Sequence, residues 1–175
     1  MNDFKDCTDE SVGLGLILAG PPPADPLEDT RALAERGDGA AAKHLGDCYR
    51  EGNPLPFRPR RAFRWYVRGA FAGHPSAMNN LGACYHNGFG CDRSMKQAIH
   101  WYTQGALRGC PHAQENLGRC YLKGDGVPAD RNRAIQWLRQ AAKQDHEKAR
   151  NTLIEMGVAI HPASGRASSQ RDTAK

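Results

Sequence analysis

The amino-acid sequence predicts an all-α protein, a right-handed superhelical solenoid built from stacked helix–turn–helix hairpins. The first observation behind this is a repeat: the pentapeptides LGDCY, LGACY and LGRCY begin at Leu45, Leu81 and Leu117, 36 residues apart each time. The second is that each copy holds two amphipathic helical patterns separated by a loop rich in glycine. Isolated helices of this length are only marginally stable, so neighbouring hairpins must cover their apolar faces. Hairpins stacked in this way form a solenoid.

Each copy of the repeat contains the same pair of helices. The copies align without a gap as residues 37–72, 73–108 and 109–144. In the first copy, two apolar stripes follow helical spacing. They comprise Ala41, Leu45, Cys48 and Tyr49 in the first helix, and Ala62, Trp65, Tyr66, Gly69 and Ala70 in the second. Loop glycines such as Gly124 and Gly126 predict where the first helix ends and the chain turns.

Shorter segments flank the three copies and complete the predicted domain. The solenoid is expected to span residues 25–158, with a capping helix at 25–36, where the second helix of a preceding repeat would fall. A second capping helix is expected at 145–158, where a first helix degenerates. Residues 1–24 form an acidic leader and 159–175 a tail without apolar periodicity, and both are expected to be flexible.

The net charge of +5 conceals an acidic leader and a basic body. Residues 1–30, which are the leader and the start of the capping helix, hold seven acids against one lysine, a charge of −6, so the remaining residues carry +11. This balance is typical of a protein with an anionic partner, or of a leader that folds back on the body. The leader also contains four aliphatic residues that suit docking on the first hairpin, a question that the sequence leaves open. They are Leu14, Leu16, Ile17 and Leu18.

The apolar run at residues 11–20 lacks the basic flanking segment of a secretory signal. Four acids precede it in place of a basic segment. No run approaches the length of a membrane-spanning helix, so we expect no membrane insertion. These two points predict a cytoplasmic protein whose six cysteines are reduced.

The third copy matches a known repeat pattern at almost every position. They are Ala113, Leu117, Gly118, Tyr121, Gly124, Gly126, Val127, Asp130, Ala134, Trp137, Ala141 and Ala142. This pattern resembles the Sel-one-like repeat (SLR) family, a longer-looped relative of the tetratricopeptide repeats, over about residues 25–158. The sequence departs from it at Cys91, at Ser94 and in the loop NPLPFRPR of the first copy. The resemblance implies an adaptor or scaffold protein, because the family is not defined by a single chemical reaction.

The repeated cysteines are predicted to be packing residues. Cys48, Cys84 and Cys120 lie on the apolar stripe, where a small polarisable side chain fits between close helices. Secreted SLR proteins carry disulfides near repeat junctions, but here only Cys110 falls near one.

Metal sites could be built from Cys84, His86 and Cys91 or from Cys110 and His112. Both lack the paired spacing of zinc ligands, so we expect no metal and no cofactor. Cys91 and Cys110 are expected to be the exposed or reactive thiols.

Polar residues on the first helices form the predicted binding surface. By resemblance to tetratricopeptide grooves, residues that face away from the packing stripe line the concave side. They are Lys43, Asp47, Arg50 and Glu51, Asn79, His86 and Asn87, Glu115, Arg119 and Lys123, and Asn151. Any one of them could be an ordinary solvated residue. As a set they suit a peptide, because asparagines can bond its backbone and cations can pair with its acids.

A basic stripe is the second candidate surface. Arg61, Arg64 and Arg68 share one face of the second helix, and Arg58 precedes them in the loop. An acidic protein surface or the leader suits this stripe better than nucleic acid, because the neighbouring aromatic residues belong to the core.

The sequence therefore predicts a non-catalytic adaptor or scaffold that binds a protein or peptide partner, with a monomer favoured. It contains no phosphate-binding glycine loop, no nucleophile elbow and no clustered carboxylate pair, so no catalytic residue is assigned. Two alternatives stay open: a hydrolase of the cysteine-rich SLR type, and a self-associating structural module.

Overall fold

The computed structural model describes residues 27–159, and this part of the chain is helical without strands. Its helices are α1 (Glu28–Glu35), α2 (Gly39–Glu51), α3 (Pro59–Phe71), α4 (Pro75–Asn87), α5 (Met95–Leu107), α6 (Pro111–Lys123), α7 (Arg131–Ala142) and α8 (Glu147–Glu155). Each helix packs on the next one, and the first helix α4 also contacts the first helices α2 and α6 on either side of it. The predicted all-α solenoid of stacked hairpins is confirmed. The expected flexibility of the leader and tail concerns residues that lie outside the described range, apart from Ala159.

The ends of the helices follow local sequence signals. Asp38 caps α2, because its carboxylate accepts hydrogen bonds from the amides of Ala40 and Ala41 at 2.8 and 2.9 Å. Gly52 ends the same helix in the left-handed conformation with φ 76°, and its repeat equivalents Gly88 and Gly124 do the same. The first helix of every repeat therefore ends at an equivalent glycine, where the chain turns to form the second helix of the hairpin.

Within each hairpin the two helices meet at a glycine. A Cβ atom added to Gly46 would lie 2.5 Å from the ring of Tyr66, and one added to Gly82 would lie 2.6 Å from the ring of Tyr102. In the third hairpin, Gly118 meets Leu138 in the same way at 2.9 Å. These distances are shorter than carbon atoms tolerate, so the large side chain of the second helix packs directly on the backbone of the first.

A second glycine joins one hairpin to the next. Gly69 of α3 lies between α2 and α4, so that an added Cβ would be 3.1 Å from the carbonyl oxygen of Gly39 and 2.8 Å from the Cβ of Ala77. Gly105 of α5 lies equally close to Pro75 and Ala113. Small residues therefore determine both the distance between the two helices of a hairpin and the distance between neighbouring hairpins.

The core runs through the stack and contains the repeated cysteines. Cys48, Cys84 and Cys120 are 4%, 3% and 2% exposed, as expected of packing residues. Burial raises the pKa of Cys84 to about 12 and that of Cys120 to about 11, so both are protonated thiols at neutral pH. The five cysteines of residues 27–159 are free.

The expectation of an exposed Cys110 is wrong. Its side chain is 4% exposed, because it precedes α6 at the repeat junction and belongs to the core cluster there. Cys91 is partly exposed, and burial raises its pKa, with the carboxylate of Asp92 as a smaller cause.

Residues 27–159 contain neither a helix that could cross a bilayer nor a group of three or more histidine, cysteine and acidic residues that could hold a metal ion.

Gly82→Ala is expected to lower the free energy of unfolding by about 2 kcal/mol, because the new methyl group overlaps the Tyr102 ring and forces the hairpin apart. Urea unfolding followed by circular dichroism measures this. Gln97→Ala, at an exposed site on α5, is the control and is expected to change stability by less than about 0.5 kcal/mol. Equal stability of the two variants would contradict the close glycine contact.

Candidate functional site

Asp47 is the centre of the polar face of α2. Its Oδ1 accepts a 2.7 Å hydrogen bond from the hydroxyl of Tyr66 and a 3.2 Å bond from the amide of Asn80. Lys43 Nζ lies 2.6 Å from Oδ2, and Arg50 Nη2 lies 3.5 Å from Oδ1. Burial and the adjacent carboxylate raise the pKa of Tyr66, which stays a neutral hydrogen-bond donor. Asp47 is therefore engaged in hydrogen bonds and ion pairs within the protein.

An amide ladder connects the first helices of the three repeats. Beyond the Asn80–Asp47 bond, Asn79 donates to Asn80 Oδ1 at 3.3 Å. Asn116 of α6 donates to Asn79 Oδ1 at 2.9 Å. The ladder therefore runs from α2 through α4 to α6 along one face. The predicted residues Asp47 and Asn79 belong to it.

Three partners in this network were missed by the sequence analysis. They are Tyr66, Asn80 and Asn116. A signal for the asparagines was present, since Asn80 and Asn116 are 36 residues apart and occupy equivalent repeat positions. Tyr66 had been assigned to the apolar stripe, and only the packing of α3 on α2 brings its hydroxyl to Asp47.

Glu115 is buried, whereas a residue that lines an open groove would be exposed to solvent. It is 5% exposed, and its Oε1 lies 3.4 Å from Arg119 Nη1 one helical turn away. Arg119 itself is exposed. The buried carboxylate therefore orients a cation that faces solvent, and Glu115 does not line an open surface as expected.

A cleft of about 210 Å³ lies between α4, α5 and α6. It brings together four of the predicted concave residues, namely His86, Asn87, Arg119 and Lys123. Ala83, Tyr102, Asn116, Cys120 and Asp125 complete the lining. The imidazole of His86 packs edge-on against the Tyr102 ring at 6.3 Å between centroids. The cleft thus combines two cations, two side-chain amides and an imidazole with one carboxylate.

The other predicted residues lie outside the lining of this cleft. Lys43, Asp47, Arg50 and Asn79 belong to the networks of α2 and α4 described above. Arg50 also donates to the Tyr66 hydroxyl at 3.0 Å and pairs with Glu51 at 2.6 Å. Asn151 is exposed on the terminal helix α8.

The four arginines of the basic stripe are all exposed, and two of them pack on aromatic rings. The guanidinium of Arg61 lies 5.7 Å from the ring centroid of Tyr49, and that of Arg68 lies 4.8 Å from that of Trp65. Burial raises the pKa of Tyr49, but hydrogen bonds from Arg61 and Arg31 outweigh it and leave a net lowering.

Two stripe residues also border an open depression. Arg58 and Arg61 line it together with Arg60, on the side opposite Cys91 and Asp92 of the following loop. Arg64 and Arg68 lie outside its lining. The stripe is therefore divided between a loop depression and a helix surface.

Helical hairpins stacked in register, with a polar face on their first helices, define the class of a helical-repeat protein. The Sel1 repeat model matches residues 39–74, 75–110 and 111–146, and the chain belongs to the Sel1 repeat family. Proteins of this family are generally protein-interaction modules. No curated protein matches the chain.

Solved structures agree with this assignment. A Sel1 repeat protein from Oxalobacter formigenes is 37% identical, with a TM-score of 0.67 over 74% of this chain and 97% of that one. The protective antigen c5321 of uropathogenic Escherichia coli, which displays an SLR fold, is 35% identical with a TM-score of 0.70, over 75% of this chain but 28% of that one. Cysteine rich protein B of Helicobacter pylori shares the fold at 16% identity and a TM-score of 0.59, over 74% and 98% of the two chains.

Asp47→Ala is expected to lower the free energy of unfolding by about 2 kcal/mol, because it leaves the buried Tyr66 hydroxyl without its acceptor. Thermal or urea unfolding measures this. Glu51→Ala removes an exposed carboxylate from the same helix and is expected to cost at most about 0.5 kcal/mol. If both variants are equally stable, Asp47 is a solvated surface residue and the network does not hold the hairpin.

Proposed function

We propose that this protein is a non-catalytic adaptor that binds an extended, acidic segment of a protein partner across the face of α2, α4 and α6. The observation that carries the proposal is the cleft between α4, α5 and α6, where Arg119 and Lys123 face one carboxylate, Asp125. The family's general role in protein interaction supports a protein partner over a small molecule.

The chemistry of the cleft suits an extended peptide. Asn87 and Asn116 each carry an amide that can donate to and accept from a peptide backbone. Arg119 and Lys123 can form charge-assisted hydrogen bonds with acidic side chains of the same peptide. Because Glu115 orients Arg119 in advance, less side-chain entropy is lost when the partner binds.

Hydrolysis is disfavoured by the nucleophile that this cleft offers. Cys120 is the one cysteine of the lining, and it is 2% exposed with a pKa raised by burial to about 11. A protonated, covered thiol is a poor nucleophile at neutral pH. The cleft is therefore better suited to binding than to covalent catalysis.

We further propose that the adaptor acts as a monomer in the cytoplasm. Free thiols at Cys48, Cys84 and Cys120 suit a reducing compartment. The basic body suits an acidic partner, since residues outside 1–30 carry +11. The basic stripe is then a secondary surface that strengthens the encounter.

Binding of defined peptides to the full chain tests this proposal. Peptides of about eight residues would cross three stacked helices, given ~3.3 Å per extended residue and ~10 Å between helices. Fluorescence anisotropy is measured with an acidic peptide and with its amide counterpart, in which Asn and Gln replace Asp and Glu. We expect the acidic peptide to bind more tightly than its amide counterpart. The double variant Arg119→Ala/Lys123→Ala is expected to weaken its binding about tenfold or more, because charge-assisted hydrogen bonds in the cleft are lost.

Arg139→Ala is the matched control, because it removes an exposed arginine from α7, outside the lining of the cleft. It is expected to leave affinity nearly unchanged. Equal weakening by both variants, or equal binding of the two peptides, would contradict the assigned surface. Competition by RNA with steep salt dependence would instead favour a nucleic-acid role for the basic stripe.

A further inference from the structure

The open depression beside the basic stripe is a second concave surface, and it shares no lining residue with the cleft between α4, α5 and α6. It has a volume of about 810 Å³ and lies between the start of α3 and the loop that follows α4. Arg58, Arg60 and Arg61 line one side, and Asp92 is the single carboxylate of the lining. Because burial raises the pKa of the Cys91 thiol, that side chain adds no charge at neutral pH. Three arginines against one aspartate therefore leave a net charge of +2.

The three arginines are particular to the first repeat. The equivalent positions, 36 residues further on each time, hold Ser94, Lys96 and Gln97 in the second repeat and Asp130, Asn132 and Arg133 in the third. Hairpins of the same length form in those repeats, so the fold itself does not require the arginines. Residues 58–68 contain five arginines and no lysine. A guanidinium group binds a carboxylate or a phosphate through two parallel hydrogen bonds, whereas an ammonium group acts as a point charge.

Two of the three arginines are available to a ligand, and the third is held in place. Arg58 and Arg60 are exposed, and within residues 27–159 their side chains have no hydrogen bond or ion pair. Arg61 donates to the Tyr49 hydroxyl at 3.4 Å, and its guanidinium lies 5.7 Å from the centroid of that ring. A side chain that is already positioned loses less entropy when a ligand binds.

The start of α3 adds backbone donors to the same depression. In α5 and α7, the side chains of Ser94 and Asp130 accept a hydrogen bond from the third helical amide, at 3.4 and 2.9 Å. Arg58 occupies the equivalent position before α3, and this helix has no side-chain cap. The first amides of a helix lack intrahelical acceptors and favour a nearby anion. An anionic ligand in the depression would therefore meet both guanidinium groups and free amides.

We infer that the depression binds a phosphate monoester, carried by a phosphorylated side chain of a protein partner. Such a group has a charge of about −1.5 to −2 at neutral pH and three acceptor oxygens, which match the net charge and the three guanidinium groups of the lining. The volume lies in the range of about 300–1,000 Å³ that is typical of ligand sites, so residues flanking the modified side chain also fit. The choice of a protein as the carrier rests on the adaptor role proposed above.

Fluorescence anisotropy of the full chain with three labelled peptides tests the chemistry of this site. The peptides share one sequence of neutral residues and carry phosphoserine, serine or glutamate at the centre. We expect the phosphoserine peptide to bind at least about tenfold more tightly than the serine peptide, and about fivefold more tightly than the glutamate peptide, which offers one charge and two oxygens. Equal binding of the phosphoserine and glutamate peptides would overturn the assignment to a phosphate group.

Two double variants locate the binding. Arg58→Gln/Arg60→Gln is expected to weaken binding of the phosphoserine peptide about tenfold or more, because two charge-assisted contacts are lost. Arg64→Gln/Arg68→Gln removes the same charge from the same helix, outside the lining, and is expected to weaken it by less than about threefold. All four side chains are exposed, and circular dichroism checks that both variants keep the fold. Equal weakening by the two variants would reduce the effect to general positive charge and overturn the site.

The variant Arg119→Ala/Lys123→Ala separates this site from the cleft. It is expected to leave binding of the phosphoserine peptide unchanged, since the two surfaces share no lining residue. Failure of the acidic peptide to bind the cleft would therefore contradict the proposed function alone, whereas failure of the phosphoserine peptide would contradict only this inference. Displacement of the phosphoserine peptide by single-stranded RNA or by inorganic phosphate, at an equal concentration of phosphate groups, would also overturn it, because the ligand would then be a nucleic acid or a free anion.

Discussion

The close approach of helices at glycine is the constraint on which this structure depends. Gly46, Gly82 and Gly118 each let a large side chain of the second helix rest on the backbone of the first. Because the same contact recurs every 36 residues, the hairpins share one geometry and stack in register. The glycines of the second helices, Gly69 and Gly105, extend this control from the hairpin to the stack.

The stacking decides which polar residues can act together. In register, Asn80 reaches Asp47 on one side and Asn116 reaches Asn79 on the other, which gives a ladder of hydrogen bonds across three helices. Part of the polar face is thereby used to hold the repeats together. Around Arg119 and Lys123 the same face opens into a cleft.

Cys110 and Glu115 show where reasoning from the sequence reached its limit. Cys110, which lies between two copies, was expected to be an exposed or reactive thiol, yet the hairpins on either side bury it. Glu115 carries a charge and was expected to face the groove, yet it lies beneath Arg119. In both cases burial comes from neighbouring helices, which a pattern within one helix does not describe.

The sequence by itself determined the fold class, the repeat length and the packing role of Cys48, Cys84 and Cys120, because periodic apolar residues and glycine stops are local signals. It also indicated the polar face. Only the tertiary structure decided how that face divides into an internal ladder and an open cleft. The reason is physical: the partners of Asp47 at Tyr66 and Asn80 are 19 and 33 residues away, and their distances depend on how closely the helices pack.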